Sequence, residues 1–292
     1  MALTLDAAKS TVIDAVFKEY RQTIDYWPGQ VMLDYSLMLH QAWRPLLPML
    51  PIGAGIRMLD VGTGYGLLAA ELAANIPISI NGVDIDPHYV AGAREICASL
   101  SHQGVFVPGS GLSFEVGDIS ALAFGDAEFE LTMVREVYQF IADPEQATRE
   151  LLRVTKPTGF VCVSDNDDGF YLAYPEPSEA FRRLHRAVDA EQSAYGDRHV
   201  GRKLSTYLSQ AGFDILAVTV MPEARHWTVT PDDPERRFLI EQVREAKDRL
   251  VKAGVIEAGE FDRLVAELES EPVGDQFRFN ARVVVVGRKP AG

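Results

Sequence analysis

Apolar residues fall at helical spacing through LTLDAAKSTVIDAVFKEYRQTIDYW and again through QVMLDYSLMLHQAWRPLLPML, with Pro28-Gly29 between them. Pro48, Pro51, Gly53 and Gly55 end that pattern. Short apolar runs then alternate with helical ones. IRMLDVG (56–62), ISINGVDI (78–85), LSFEVGDI (112–119), FELTMVRE (129–136) and GFVCVSD (159–165) read as strands. LLAAELAANI, PHYVAGAREICASL and PEQATRELLRVT read as the helices between them. Such alternation predicts crossover units and a mostly parallel sheet covered on both faces, an α/β fold.

Beyond residue 165 the rhythm changes. SEAFRRLHRAVDAEQSAY and GRKLSTYLSQAG read as helices that lead into the strand-like FDILAVTVM (213–221), and ARVVVVGRK (281–289) closes the chain. Between these two strands the sequence is acid-rich. Leu239, Val243, Ala246 and Leu250 recur there at helical spacing, as do Phe261, Leu264, Val265 and Leu268. The expectation is a seven-stranded sheet with an antiparallel last strand, divided as an N-terminal helical lid (1–50), an α/β core (51–222), a helical insertion (223–278) and a last strand with its tail (279–292).

Charge narrows the partners. The chain has 292 residues, with 28 Lys and Arg against 42 Asp and Glu, a net charge of −14. Without a basic cluster, nucleic acid and anionic membrane surfaces are unsuited partners. The first twenty residues carry acids and lack a basic region followed by a long apolar core, so no secretory signal is expected there. No apolar run approaches membrane-spanning length. Cys97 and Cys162 lie in apolar surroundings and read as buried thiols of a reducing, cytoplasmic compartment.

The chemistry gathers around MLDVGTGYGLLAAELAA (58–74), where Gly62, Gly64 and Gly66 join the first strand to its helix. Glycines let a ligand pass against bare backbone. A dinucleotide fingerprint would put its third glycine at position 67, which is Leu67, and no lysine-serine pair makes a P-loop. About twenty residues later Asp84 ends the second strand, where a carboxylate can accept from both hydroxyls of a ribose. Asp86-Pro87 reads as a helix cap.

Asp60-x-Gly62-x-Gly64-x-Gly66 resembles the first motif of class I S-adenosylmethionine-dependent methyltransferases, of the small-molecule, UbiE-like type 11 kind, and the likeness extends from 56 to about 165. It implies a Rossmann-like fold, S-adenosylmethionine as cofactor, and methyl transfer to a small organic acceptor, of the sort met in specialised or quinone-type metabolism. It also implies the cofactor contacts: Asp60, Gly62, Thr63, Gly64 and Gly66 around the methionine part, Asp84 and Ile85 at the ribose, Gly117, Asp118 and Ile119 bordering adenine, and Arg135 at a carboxylate of cofactor or substrate.

A catalytic base is not legible. Many small-molecule members carry a histidine pair after the fourth strand, whereas this chain has Glu136-Val137-Tyr138-Gln139-Phe140. Tyr138, His199 and His226 are the candidates that remain near the acceptor side. DNDDG (165–169) reads as a turn, and no histidine pair has metal-ligand spacing, so no metal is expected. The aromatic DYWPGQ segment, with Tyr26 and Trp27, reads as core packing that can also form a lid. A non-catalytic scaffold or regulatory subunit is the alternative, a nicotinamide oxidoreductase is disfavoured by Leu67, and the insertion either roofs the acceptor chamber, or thickens the sheet's flank or forms a homodimer contact.

Overall fold

The computed structural model describes residues 3–230, 233–271 and 273–291. Two helices, α1 (Ala7–Arg21) and α2 (Trp27–Trp43), come first. Pro28, read as a break, lies in the first turn of α2, where its missing N–H costs nothing. Then follow β1 (Arg57–Val61), α3 (Leu67–Asn75), β2 (Ser79–Asp84), α4 (Pro87–His102), β3 (Gly111–Val116), β4 (Phe129–Arg135), α5 (Pro144–Val154) and β5 (Thr155–Asn166). The remainder is β6 (Leu172–Tyr174), α6 (Glu179–Gln192), α7 (Leu204–Ala211), β7 (Asp214–Val229), α8 (Pro234–Lys252), α9 (Ala258–Glu269) and β8 (Gly274–Arg288).

The sheet runs β3-β2-β1-β4-β5-β8, with β7 on the far side of β8. The pairs among β1 to β5 are parallel and every pair with β8 is antiparallel. The seven strands read from the sequence are there, joined by an eighth: β6, three residues long, pairs with the outer part of β8. A three-residue strand is too short to show a period. Successive residues of β5 serve opposite faces. Cys162 joins the core under α1 to α4 with Met58, Ile80 and Met133, while Val161 and Val163 join the core under α5 and α7 with Leu59, Val134 and Val285. Among the described residues no helix is long and apolar enough to cross a membrane.

The segment 223–278 is not helical throughout. β7 continues to Val229 and β8 begins at Gly274, so both ends of that segment are arms of one long hairpin. Its arms pair from Asp214↔Arg288 to Val229↔Gly274, whereas β5 pairs with β8 only as far out as Arg282. The outer half therefore projects beyond the sheet. Its inward side chains include Glu223, Arg225 and Trp227, so the apolar alternation that marks a buried strand is missing. The two helices between the arms bury Val243, Ala246, Leu250, Phe261 and Leu264 against Leu184 and Ala187 of α6.

Candidate active site

The carboxyl ends of β1, β2 and β4 meet at one edge, and residues 62–66 cross it. Gly62, Gly64 and Gly66 have φ of 71°, 54° and 78°, a region that other residues enter at a cost of about 1–2 kcal/mol each. Two of these glycines serve different ends. A Cβ at Gly62 would overlap the Val137 side chain, so that glycine is a packing necessity. At Gly64 nothing stands within 4 Å of where a Cβ would be, so bare backbone faces open space.

Main-chain groups fix the loop. The N–H groups of Gly62 and Thr63 donate to the Val83 carbonyl at 2.8 and 3.0 Å. The Gly64 N–H donates to Asp84 Oδ2 at 2.8 Å, and the Asp86 N–H donates to Asp84 Oδ1 at 3.0 Å. Each Asp84 oxygen keeps room for a further donor. Burial pushes the Asp84 carboxyl up, and the bonds from Asp86 and Gly64 pull it back. Beneath the loop Asp60 is buried and accepts from Thr63 Oγ1 at 2.8 Å. Burial raises its pKa too, opposed by the charge of Arg135. Arg135 lies over Trp43, 5.5 Å from the ring centre, and its Nε has no hydrogen-bond partner among the described residues.

Farther along the edge Ile85 is 71% exposed, an apolar side chain standing free beside Asp84. The Gly117 N–H donates to the Asp84 carbonyl at 3.0 Å, and Asp118, exposed, accepts from the Ser120 N–H at 2.8 Å. Ile119, expected to border adenine, is buried in the α5-side core, and Ile85 and Val116 are the exposed apolar side chains at this edge. Tyr26 comes to the loop's rear, its hydroxyl 3.5 Å from that of Tyr65 and its ring 5.4 Å from His88. The Trp27 side chain lies outside the described residues.

Of the candidate base residues, one is corrected by its surroundings. Tyr138 is 1% exposed and turned into the α5-side core, where its hydroxyl bonds Thr148 Oγ1 at 2.8 Å; burial raises its pKa, so it cannot serve as a base at the edge. His226 is exposed on the outer side of the hairpin, opposite Phe277. His199 precedes the helical turn 200–203, and its N–H donates to Asp197 Oδ1 at 2.9 Å.

What sequence reading missed is a cluster on the β4–β8 side. Glu136, at φ 58°, points its carboxylate at Arg282, with Nε 3.1 Å from Oε1. Arg282 also donates to Glu223 Oε2 at 2.8 Å and to the Tyr35 hydroxyl at 3.0 Å, while that hydroxyl donates to Glu136 at 3.3 Å. The side chains of Arg282, Glu136 and Glu223 are 5%, 8% and 14% exposed. Burial opposes the Arg282 charge, but Glu136, Tyr35 and Glu223 hold it firmly protonated. Asp165, buried at the end of β5, accepts from the N–H groups of Gln139 and Asn166; burial and the nearby Glu136 charge raise its pKa well above the usual carboxylate range. The one signal in the sequence was an arginine at the head of the apolar run ARVVVVG.

The acidic turn after β5 is tied by arginines: Asp167 to Arg202 and Asp168 to Arg198. Asp168, His185 and Asp189 offer ligand atoms within 4.8 Å of one another, but the Arg198 guanidinium already lies between the two carboxylates, 3.0 Å from Asp189 Oδ1.

Residues 59–163 match the family described as "Methyltransferase domain". Among curated proteins, the chain is 30% identical over 143 residues to an uncharacterised protein of Mycobacterium tuberculosis, covering 47% of this chain and 49% of that one. It is 32% identical over 111 residues to the 2-methyl-6-phytyl-1,4-hydroquinone methyltransferase of Synechocystis, covering 38% and 32%. The chain thus spans about half the length, or less, of these relatives. Among solved structures, the YcgJ protein of Bacillus subtilis superimposes with a TM-score of 0.54 at 17% identity, over 87% of this chain and all (100%) of that one, a likeness of fold.

Proposed function

Because residues 59–163 match the methyltransferase-domain family, we propose that this protein is a class I S-adenosylmethionine-dependent methyltransferase that transfers a methyl group from S-adenosylmethionine to a small organic acceptor. The observation that carries the reading is the loop itself: a left-handed Gly64 with open space before it, pinned by Asp84 and flanked by the exposed Ile85.

The bound sulfonium supplies an activated methyl group; the chain's task is to position and to exclude water. Asp84 accepts from the ribose hydroxyls with the lone pairs that Gly64 and Asp86 leave free. Ile85 covers the adenine face, with Gly117 and Asp118 at its rim. The backbone at Gly62, Thr63 and Gly64 and the carboxylate of Asp60 meet the methionine amino and carboxyl groups, and the unpartnered Arg135 Nε serves a carboxylate. Tyr26 and α2 close the site from above. No side chain is assigned as a general base, which is required only where the acceptor must lose a proton during attack.

The hydroquinone methyltransferase among the relatives supports a quinol-type acceptor as the first to try. Burial lifts both thiols, Cys97 and Cys162, to about 12, in keeping with inert thiols of a reducing cytoplasm. A binding-only role is the second reading, favoured by the Tyr35–Glu136–Arg282 cluster, whose polar groups are committed to one another.

Incubation with methyl-labelled S-adenosylmethionine and a panel of phenols, quinols, amines and carboxylic acids tests the proposal. Label should appear in one acceptor class with matching S-adenosylhomocysteine. Cofactor binding without turnover favours the second reading; failure to bind the cofactor overturns both.

A further inference from the structure

Three non-glycine residues among those described have a positive φ: Ala127 at 57°, Glu136 at 58° and Thr158 at 63°. Ala127 lies just before β4, and Thr158 just before Phe160, which pairs with Leu131 near the start of β4, so both are at the amino edge of the sheet. Glu136 instead follows the last residue of β4, at the carboxyl edge beside the loop 62–66. A left-handed residue that carries a Cβ is strained, and such strain persists where the surroundings over-determine it.

What holds Glu136 there is its side chain. Its N–H donates to the Ser164 carbonyl at 2.9 Å and so continues the pairing of β4 with β5. Its carboxylate is gripped from two elements at once: Arg282 Nε of β8 stands 3.1 Å from Oε1, and the Tyr35 hydroxyl of α2 donates to Oε2 at 3.3 Å. Both partners are themselves fixed, since Arg282 donates to Glu223 and to Tyr35. Rotation of the residue out of the left-handed region would swing the carboxylate away from both.

The turn matters because of its neighbours. The Arg135 carbonyl lies 3.9 Å from where a Cβ on Gly62 would stand, and Val137 puts a methyl group into that same place. The two residues that flank Glu136 therefore form the wall facing the first glycine of the loop. Main-chain amides hold the loop itself. The wall opposite is placed by a charged side chain.

We propose that Glu136 is a positioning residue for the cofactor: clamped by Arg282 and Tyr35, it holds the left-handed turn that sets the Arg135 carbonyl and the Val137 side chain against the loop 62–66. The proposal rests on the cofactor reading of that loop. Glu136 touches no ligand in it and acts through Arg135 and Val137.

Calorimetric titration of S-adenosylhomocysteine into Glu136→Ala and Glu136→Gly tests it, with urea unfolding of the apo proteins alongside. Both variants lose the clamp, so both should lose stability to a similar extent. They differ in backbone preference, because glycine takes a left-handed turn freely and alanine leaves it. The alanine variant should bind about 10-fold more weakly than the wild type, the effect of one left-handed residue released. The glycine variant should bind within about 3-fold of the wild type. A role confined to stability predicts one affinity for both. Equal affinities in the two variants, or weaker binding by the glycine variant, overturn the proposal.

Val137→Ala keeps the clamp whole and decides the matter should a Glu136 variant fail to fold. It should bind about 3- to 10-fold more weakly than the wild type, and wild-type affinity there overturns the proposal as well. A wild type that binds no S-adenosylhomocysteine overturns the cofactor reading and the positioning role with it. A wild type that binds, with alanine and glycine variants alike, overturns the positioning role alone.

Discussion

On the β1–β2 side of the carboxyl edge, the loop 62–66 is held by main-chain amides and a single carboxylate, all within about twenty-five residues of one another. On the β4–β8 side the work falls to side chains: Tyr35, Glu136, Glu223 and Arg282 come from four elements, and Tyr35 and Arg282 are 247 residues apart. The first side leaves open space at Gly64 and an exposed Ile85. The second is filled and buried. A site that grips with backbone can keep one geometry whatever lies opposite it, whereas a site made of paired charges stands or falls as a set. The cofactor side is thus suited to one constant ligand, and the β4–β8 side to fixing helix α2 against the hairpin.

The sharpest way to break that comparison is Arg282→Ala. Removing one member of a buried charge set leaves Glu136 and Glu223 without a cation and should cost about 3–5 kcal/mol in urea unfolding. A loss below about 1 kcal/mol would mean that water already relieves the cluster.

A second set of side-chain ties lies under the loop, where Glu71 of α3 meets His40, Ser10 and Arg44, the last also bound to Asp14. Burial alone would raise the Glu71 carboxyl, but His40, Ser10 and Arg44 hold it down to about 2. Its folded value lies below its unfolded value, so it contributes stability above the unfolded pKa and loses it as pH falls toward the folded one. The contribution is on the order of 2–3 kcal/mol. Glu71→Gln should therefore be less stable than wild type at neutral pH, with the gap closing between about pH 5 and 2; a gap independent of pH would assign the loss to packing.

Asp84→Ala should weaken S-adenosylhomocysteine by about 1–3 kcal/mol, since in the proposed site two ribose hydroxyls lose their acceptor. Thermal unfolding without ligand should change less than the affinity does. Smaller still is the contrast between two glycines. Gly62→Ala meets both a left-handed φ and Val137, and should cost the apo fold about 2 kcal/mol, whereas Gly64→Ala meets φ alone, about 1 kcal/mol. Equal losses in apo stability would erase the distinction between a packing glycine and a ligand glycine.

The same contrast explains what the sequence disclosed. Strand-helix alternation and the Asp60-to-Gly66 spacing are local, so β1 to β5 and the places of the loop and of Asp84 at the carboxyl edge were legible. Ile119 was misplaced because which side of a strand end faces the core depends on packing that a motif does not record. Tyr138 was assigned to the edge for its position after β4, yet the turn carries its ring into the opposite core. Glu136 and Arg282 escaped notice because neither has a partner nearby in sequence. The hairpin arms escaped for a related reason: outside the sheet, their inward residues meet other side chains rather than a core.

The most direct test is calorimetric titration of S-adenosylhomocysteine into the wild type and Gly64→Val. The wild type should bind one equivalent, and the variant, still folded by circular dichroism, should show no binding, because a branched side chain would occupy the open space before the loop. Equal affinity in the two proteins, or none in the wild type, would contradict the assignment of the loop to the cofactor.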